Sequence, residues 1–419
     1  MTSEIFADAI EIANAWTVGL DLGQLIVDGL IRTEALDVDV DVIAIGKASR
    51  EMANACHAQL GDHVLRTFVV TDEKWDPAFD AEVVIGSHPL VSDASIAAGE
   101  RLLAFLAEPT SATSTLFLIS GGASSLCAIP LPPLTVSDVQ LLWDAAVEAG
   151  LDITTLNQLR AATSGIAGGL VLRKVRTPHS ASLIMVDNVV SGEEWVASGL
   201  TYDFRPSPAE LAALVDRLNR SGLPLVDRLL RAGAHRRTLT TERIVTTHQN
   251  VVIAQPSLVL EWATGAARRL GYRVVDLGSA VHGDVVDVAK LYELVINDEM
   301  QRDDSFCVLG VGEVTVRVTG IGRGGRCQEL AWTAAPMLAS LDRDALVVAL
   351  ATDGRDFVDG VGGAWVDRGT MLTLERMKVS WEDIAHNNDS FRGLFLLDQL
   401  LAGGRSGWNL CDLYLALVR

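Results

Sequence analysis

The chain has 419 residues, too many for one compact core, so two or three domains are expected. Hydrophobic residues make up 49% and charged residues 21%, a globular composition that excludes a disordered chain. A net charge of −20 excludes nucleic acid and an anionic membrane as general partners, because both require a basic field.

Met1–Leu25 carries acids and no basic leader segment, which is not the pattern of a signal peptide, and a cytoplasmic location is expected. The five cysteines are scattered without a CxxC pair, so neither a disulfide framework nor a zinc ribbon is expected. An opening helix is predicted from Ser3 to about Ile31, then a buried strand at Asp41–Ile45 and a helix from Lys47 to about Leu60. Further strands are predicted at Arg66–Thr71, Glu82–Ser87, Ser114–Ile119 and Ala181–Val186, with helices at Ser92–Ala107, Ser137–Ala149, Asn157–Lys174 and Pro208–Leu218. The most apolar window, Leu116–Leu134, is too interrupted by glycine and proline to span a bilayer. The Arg-rich stretch from about Leu229 to Thr246 reads as a transition between domains, dividing the chain into 1–235 and 236–419. Beyond it, strands are predicted at Val251–Ala254, Arg273–Leu277, Ser305–Leu309, Glu313–Thr319, Ala345–Ala351 and near Leu410–Val418. Helices are predicted at Ser257–Leu270, Asp284–Gln301, Cys327–Leu338 and Asp389–Leu401. Apolar runs alternating with amphipathic stretches indicate an α/β fold with βαβ units and a largely parallel sheet.

Three glycine-containing turns carry the chemistry. In Ala44-Ile-Gly-Lys-Ala-Ser49, Gly46 permits a tight turn after the strand, and Lys47 opens the helix, where a cation is disfavoured unless an anion joins it. Lys47 reads either as that anion's partner or as a surface lysine; the chain has only five lysines. In Ser120-Gly-Gly-Ala-Ser-Ser125, Gly121 and Gly122 let the backbone approach an oxyanion, while Ser120, Ser124 and Ser125 supply hydroxyls at a strand's carboxyl end. No Walker A sequence occurs. The third turn, Gly320-Ile-Gly-Arg-Gly-Gly-Arg-Cys-Gln-Glu329, matches the dinucleotide pattern G-x-G-x-x-G, so an NAD-dependent oxidoreductase is one reading. Arg323 and Arg326 favour another, a clamp for a transferring phosphate or a carboxylate. Asp187, Glu313, Asp353 and Asp356 are candidate Mg²⁺ ligands near strand ends, with loop capping as the plainer alternative. His88 follows a strand and is a candidate for substrate contact, or else orients a turn.

These motifs resemble the class II glycerate kinases in order as well as in kind. The match runs through Gly46-Lys-Ala-Ser49, His88-Pro89, Ser120-Gly-Gly-Ala-Ser124, Asn157 with Arg160, and Ala197-Ser-Gly199. It continues through Gly322-Arg-Gly-Gly-Arg326 with Gln328-Glu-Leu330, Thr352-Asp-Gly354, Asn388-Asp-Ser390, and Asn409 with Asp412-Leu413. The resemblance implies an N-terminal Rossmann-like domain, a mostly parallel sheet with flanking helices, and a C-terminal mixed-sheet MOFRL domain. It implies a kinase that transfers the γ-phosphoryl group of ATP, with Mg²⁺, to the 2-hydroxyl of D-glycerate or a related small hydroxy acid, in a cleft between the domains. Lys47 and Arg323 or Arg326 match catalytic positions. Gly46, Ser49, His88, Ser120, Gly121, Gly122, Ser124, Asn157, Arg160, Gln328, Glu329 and Asn409 would bind nucleotide or substrate, and Asp187, Glu313 and Asp353 the metal. The partners implied are small molecules, and a homodimer is compatible with the sequence.

The chain departs from that family's pattern at several places. The family's Arg-Lys-His-Leu-Ser reads Arg160-Ala-Ala-Thr-Ser164, its Lys-Gly-Gly reads Ala167-Gly-Gly169, and its Ser-Gly-Pro-Thr reads Ser198-Gly-Leu-Thr201. The acidic segment is altered to Val186-Asp-Asn-Val-Val-Ser-Gly-Glu-Glu194, Cys327 replaces an asparagine, and Trp408 stands in the C-terminal glycine loop. Lost cations at Ala161, Ala162 and Ala167, and new bulk at Trp408, predict a changed pocket; Leu200 is a further departure. The competing functions are an NAD(P)H-dependent hydroxypyruvate reductase and a divergent homologue with changed substrate or lost activity.

Overall fold

A computed structural model describes residues 4–35, 37–188, 192–219, 225–240 and 246–419. Ser3, residues 189–191 of the altered acidic segment and residues 241–245 of the Arg-rich stretch lie outside the described residues. Two compact units form. One comprises residues 22–254; the other combines residues 1–21 with 255–419.

The unit of residues 22–254 is built on six strands: β1 (Val40–Ile45), β2 (Val64–Thr71), β3 (Glu82–Ile85), β4 (Ser114–Ile119), β5 (His179–Met185) and β6 (Thr247–Ala254). Their order is β3-β2-β1-β4-β5-β6, and every neighbouring pair is parallel. β1 and β4 are buried along their whole length, which is why they read as short apolar runs. The one charged residue in them, Asp41, is compensated by Arg66, whose Nε and Nη2 donate to its carboxylate at 3.2 and 2.5 Å. Helix starts follow local capping chemistry. Ser92 and Ser95 close a capping box before Asp93–Ala107, and Thr135 and Asp138 do so before Val136–Glu148. Leu102 and Phe105 of the first of these helices join Phe68 and Phe117 in one core. A second core is drawn mostly from helices and includes Leu142, Leu159, Leu211 and Leu229.

The other unit carries a seven-stranded mixed sheet made of β7 (Arg273–Asp276), β8 (Val281–Asp284), β9 (Phe306–Thr315), β10 (Ala345–Ala351), β11 (Val361–Asp367), β12 (Leu400–Ala402) and β13 (Asp412–Val418). β13 lies antiparallel between β10 and β9, while β7 and β8 pair parallel with β9. The helix Arg326–Ala339 buries Trp332 in this unit's core. The α/β class and the parallel-plus-mixed pair of sheets agree with expectation.

Several boundaries differ. The single opening helix is two, Glu4–Gly19 and Leu22–Arg32, and they fall in different units. The division after residue 235 gives way to one at Ala254, because β6 pairs with β5 and completes the first sheet. Instead of a transition, residues from Leu229 to Leu239 belong to the helix Val226–Leu239, which buries Arg236. The helix predicted over Asn157–Lys174 is Ile153–Thr163; Gly168 and Gly169, at φ 58° and 77°, separate it from a short turn at Leu170–Arg173. The two strands predicted within 305–319 are one, β9. Its two internal glycines permit close approach: a Cβ on Gly312 would lie 1.8 Å from the Val281 carbonyl oxygen, and one on Gly310 would lie 2.8 Å from Val281 Cγ2. β11, β12 and the helices Thr370–Met377 and Trp381–His386 were not predicted, and the helix expected at Asp389–Leu401 is shortened to Ser390–Leu396.

Candidate functional site

In the unit of residues 22–254 the chain runs outward from β1 to β3 on one side and from β4 to β6 on the other. The loops leaving β1 and β4 therefore diverge at the carboxyl ends of adjacent strands, the place where open parallel sheets bind ligands. Those loops are the Gly46–Lys47 turn and the Ser120–Ser125 loop. They are stitched together: the Lys47 N–H donates to the Gly121 carbonyl at 2.9 Å, and the Ala48 N–H donates to the buried Ser120 hydroxyl at 3.1 Å. Gly46 has φ 131°, and a Cβ there would meet Ser120 Oγ at 2.2 Å, so glycine is required. Gly122, at φ 80°, leaves room for its neighbours. A Cβ on it would lie 2.9 Å from the His88 ring and 3.3 Å from Lys47 Cγ. Ser49 is buried with no hydrogen-bond partner for its hydroxyl.

Arg160 and His88 set the local electrostatics. The Arg160 guanidinium lies 4.8 Å from the Trp143 ring centre, and burial lowers its pKa to about 10. Among the described residues it has no carboxylate in ion-pair contact. His88 keeps an exposed edge, yet desolvation of the ring, then Lys47, lowers its pKa to about 4; Arg160 adds to the shift and Asp72 opposes it. The imidazole is thus neutral in the fold over a range where the unfolded chain, near 6.5, is protonated. Its contribution to stability is present above pH 6.5 and lost as pH falls towards 4. Denaturant midpoints should accordingly fall over that interval more steeply for the wild type than for His88→Gln; equal slopes would refute the shift.

Asn157 joins the site through Ser198, whose hydroxyl donates to Asn157 Oδ1 at 3.1 Å and lies 2.8 Å from the Ser124 hydroxyl. Ala197, Ser198 and Gly199 are successively left-handed, at φ 55°, 52° and 70°, a strained run for two non-glycine residues. The structure thus gathers Gly46, Lys47, Ser49, His88, Ser120, Gly121, Gly122, Ser124, Asn157 and Arg160 in one unit. Trp143 and Ser198 complete the set; neither was a candidate, although Ser198 lies in a quoted motif.

The third glycine turn belongs to the other unit and is held by residues 387–389. The amides of Thr319 and Gly320 donate to Asn388 Oδ1, that of Ile321 to Asn387 Oδ1, and that of Arg323 to Asp389 Oδ1. The helix N-terminus that follows is capped by Asp356, whose carboxylate accepts from the amides of Cys327 and Gln328 at 3.1 and 2.9 Å. A dinucleotide fingerprint presents such amides to a pyrophosphate; here internal acceptors take them. The two arginines differ sharply. Arg326 donates to Asp412 from Nε and Nη2 at 2.5 and 3.0 Å and to Glu313 from Nη1 at 2.5 Å. Burial opposes its charge, but Asp412 and Glu313 outweigh that and raise its pKa. Arg323 is exposed, with its guanidinium 5.5 Å from the Phe391 ring centre. Gln328 is fully buried and donates from Nε2 to the Asp356 carbonyl at 2.7 Å, while Glu329 is buried, with burial raising its pKa. Asn409 is buried too.

The profile described as "Domain of unknown function (DUF4147)" matches residues 4–231, more than half of the chain. The chain belongs to the DUF4147 family. A second profile, described as "MOFRL family", matches residues 306–412 of this DUF4147 chain. It is 26% identical over 386 residues to "D-glycerate 2-kinase" of Thermotoga maritima, covering 90% of both chains. It is 28% identical over 392 residues to "Glycerate 2-kinase" of Pyrococcus horikoshii, covering 90% of this chain and 87% of that one. The crystal structure of glycerate kinase from Thermotoga maritima matches it with a TM-score of 0.84 at 25% identity, over 99% of each chain. The expected kinship with MOFRL-containing glycerate kinases is borne out.

Within the DUF4147 region, the departures are absorbed in two ways. Ala161 and Ala162 are fully buried helix residues, whereas Ala167 and Leu200 line a cavity. In the MOFRL region, Cys327 is buried at a helix start. Trp408 departs from expectation: its bulk packs edge-on against Trp16, with ring centres 6.4 Å apart, within its own unit. The expected metal ligands are not gathered. Among the described residues no three His, Cys, Asp or Glu side chains form a metal-binding group. Glu313 is paired with Arg326, and Asp353 accepts from the Arg355 amide at 2.9 Å. No described helix is long and apolar enough to cross a membrane.

Proposed function

We propose that this chain is a small-acid kinase that transfers the γ-phosphoryl group of ATP to the 2-hydroxyl of D-glycerate or a related small hydroxy acid. The observation that carries the reading is the convergence of Lys47, His88, Gly122 and Arg160 at the switch point of a parallel sheet, in a chain similar along its length to glycerate kinases. Arg160 receives the acceptor's carboxylate, because a desolvated guanidinium without an acid beside it gains most from an incoming anion. Lys47 offsets charge on the transferring group, and the Ser120–Ser125 loop cradles anionic oxygens. Neutral His88 can accept a hydrogen bond from the acceptor hydroxyl without adding to the local positive charge. Of the two turn arginines we assign the phosphate-facing role to Arg323, since Arg326 is engaged by Asp412 and Glu313.

Mg²⁺ needs only one or two protein carboxylates when nucleotide phosphates and water supply its other ligands. Asp187, partly buried just beyond β5, fits that limited role, and the ion would neutralise phosphate charge. Glu313 fits it less well because of Arg326. Steady-state assays with ATP, Mg²⁺ and D-glycerate are expected to yield 2-phosphoglycerate. Oxidation of NADH by hydroxypyruvate without phosphotransfer would replace this reading with the reductase. Arg160→Gln is expected to raise KM for the acid about 30-fold with a smaller change in kcat, in line with a lost charge-assisted hydrogen bond. An unchanged KM would remove Arg160 from the acceptor site.

A further inference from the structure

A cavity of about 50 Å³ lies beside Arg160 and is bordered by Ser124 and Ser198. Its other walls include Ile45, Cys127, Leu142, Ile166 and Leu200. Apart from Arg160, its polar wall side chains are already engaged. The Thr163 hydroxyl donates to the Leu159 carbonyl at 2.7 Å, and the Ser164 hydroxyl accepts from the amides of Ile166 and Ala167 at 3.2 and 3.1 Å. Ser124 and Ser198 are 2.8 Å apart, and Ser198 donates to Asn157. A hydroxymethyl group placed there would have to compete with these bonds, whereas an alkyl group would not.

The cavity is held open. Arg236, 2% exposed, donates from Nη1 to the carbonyls of Ser164 and Ala167 at 2.9 and 3.0 Å, and from Nη2 to those of Gly168 and Phe204 at 2.6 and 3.0 Å. One buried guanidinium therefore fixes the wall segment 164–168 against residue 204. Such pinning resists collapse of the wall onto the space. At roughly 10–15 Å³ for each water-sized occupant, the volume takes about three to five atoms.

Resting on the kinase reading above, we propose that the acceptor's carbon chain enters this pocket while Arg160 holds its carboxylate. The preferred acceptor is then a 2-hydroxy acid with a compact branched alkyl group, and D-glycerate is a poorer one. Chemically the step is unchanged: the acceptor's 2-hydroxyl oxygen forms the new O–P bond, the bond from the γ-phosphorus to the bridging oxygen breaks, ADP leaves, and the hydroxyl proton is released.

The test compares D-glycerate with both enantiomers of 2-hydroxy-3-methylbutanoate in ATP-dependent phosphotransfer by the full chain. One enantiomer is expected to show kcat/KM at least about tenfold above D-glycerate, the discrimination a few buried carbons provide. Ala167→Leu, which fills the pocket, should shift the ratio of the two acids towards D-glycerate by about tenfold. A wild-type preference for D-glycerate, with a ratio indifferent to Ala167→Leu, overturns the pocket and leaves the kinase reading intact. If neither acid accepts phosphate, the kinase reading fails, and thermal shifts with the same acids decide the pocket separately. A larger Tm rise with the branched acid supports it; an equal or smaller one overturns it.

Discussion

Lys47→Ala is expected to lower kcat for phosphotransfer about 10³-fold while the protein still folds. The residue's amide is tied to the Gly121 carbonyl, and its side chain passes the bare face of Gly122 beside His88. Its charge is thus delivered to the divergence of the β1 and β4 loops by backbone geometry that survives truncation of the side chain. Removing one preorganised charge at a transferring group typically costs 10²–10³-fold, and up to 10⁵-fold for an arginine finger. In a chain of net charge −20 with five lysines, little else in that loop could substitute. Lys47→Arg should recover only part of the rate, because a planar fork does not reproduce a compact ammonium at the same place. Wild-type kcat in Lys47→Ala would withdraw the residue from catalysis.

Arg326→Met is expected to destabilise the unit containing it by about 3 kcal/mol, seen as a lower urea midpoint. Asp412 is 1% exposed, and its two oxygens take hydrogen bonds from Arg326, with the Tyr414 hydroxyl adding another at 3.0 Å. Deleting the guanidinium leaves that carboxylate buried without its cation, which costs about 3–5 kcal/mol; the lower end applies because Arg326 itself is partly reached by solvent. Adding Asp412→Asn to Arg326→Met should restore part of the loss, since a neutral amide carries a smaller desolvation penalty. If Arg326→Met instead left stability intact and abolished turnover, Arg326 rather than Arg323 would be the phosphate-facing arginine. The ion pair would then be incidental.

Much of the first unit could be read from the chain alone. β4 matches its predicted residues, and β1 starts one residue earlier than predicted, because strands buried on both faces are mainly apolar and a tight loop after them needs glycine within two residues. The same logic located the Gly46 and Ser120 loops, and the structure brings their candidate residues together. The helix Asp93–Ala107 was legible from its periodicity, and the structure adds the capping box of Ser92 and Ser95. Failures occurred where a residue's role is assigned by something remote. Gly310 and Gly312 looked like a break, yet β8 presses against the strand there. Arg236 looked like part of a polar linker, yet it serves carbonyls 32 to 72 positions away.

The two arginines of the third turn make the distinction concrete. Nothing within the stretch Gly322–Arg326 separates them, since each stands next to a glycine in the same polar turn. Composition, strand periodicity, capping and turn glycines follow from forces acting over a few residues, so they can be inferred from neighbours in the chain. Which arginine faces solvent, which acid it neutralises and whether a wall of alanines encloses a cavity depend on pairings such as Arg326 with Asp412, 86 positions apart. Those pairings exist only once β13 has been laid between β9 and β10, because charges and apolar surfaces act at contact distance in space and not along the chain.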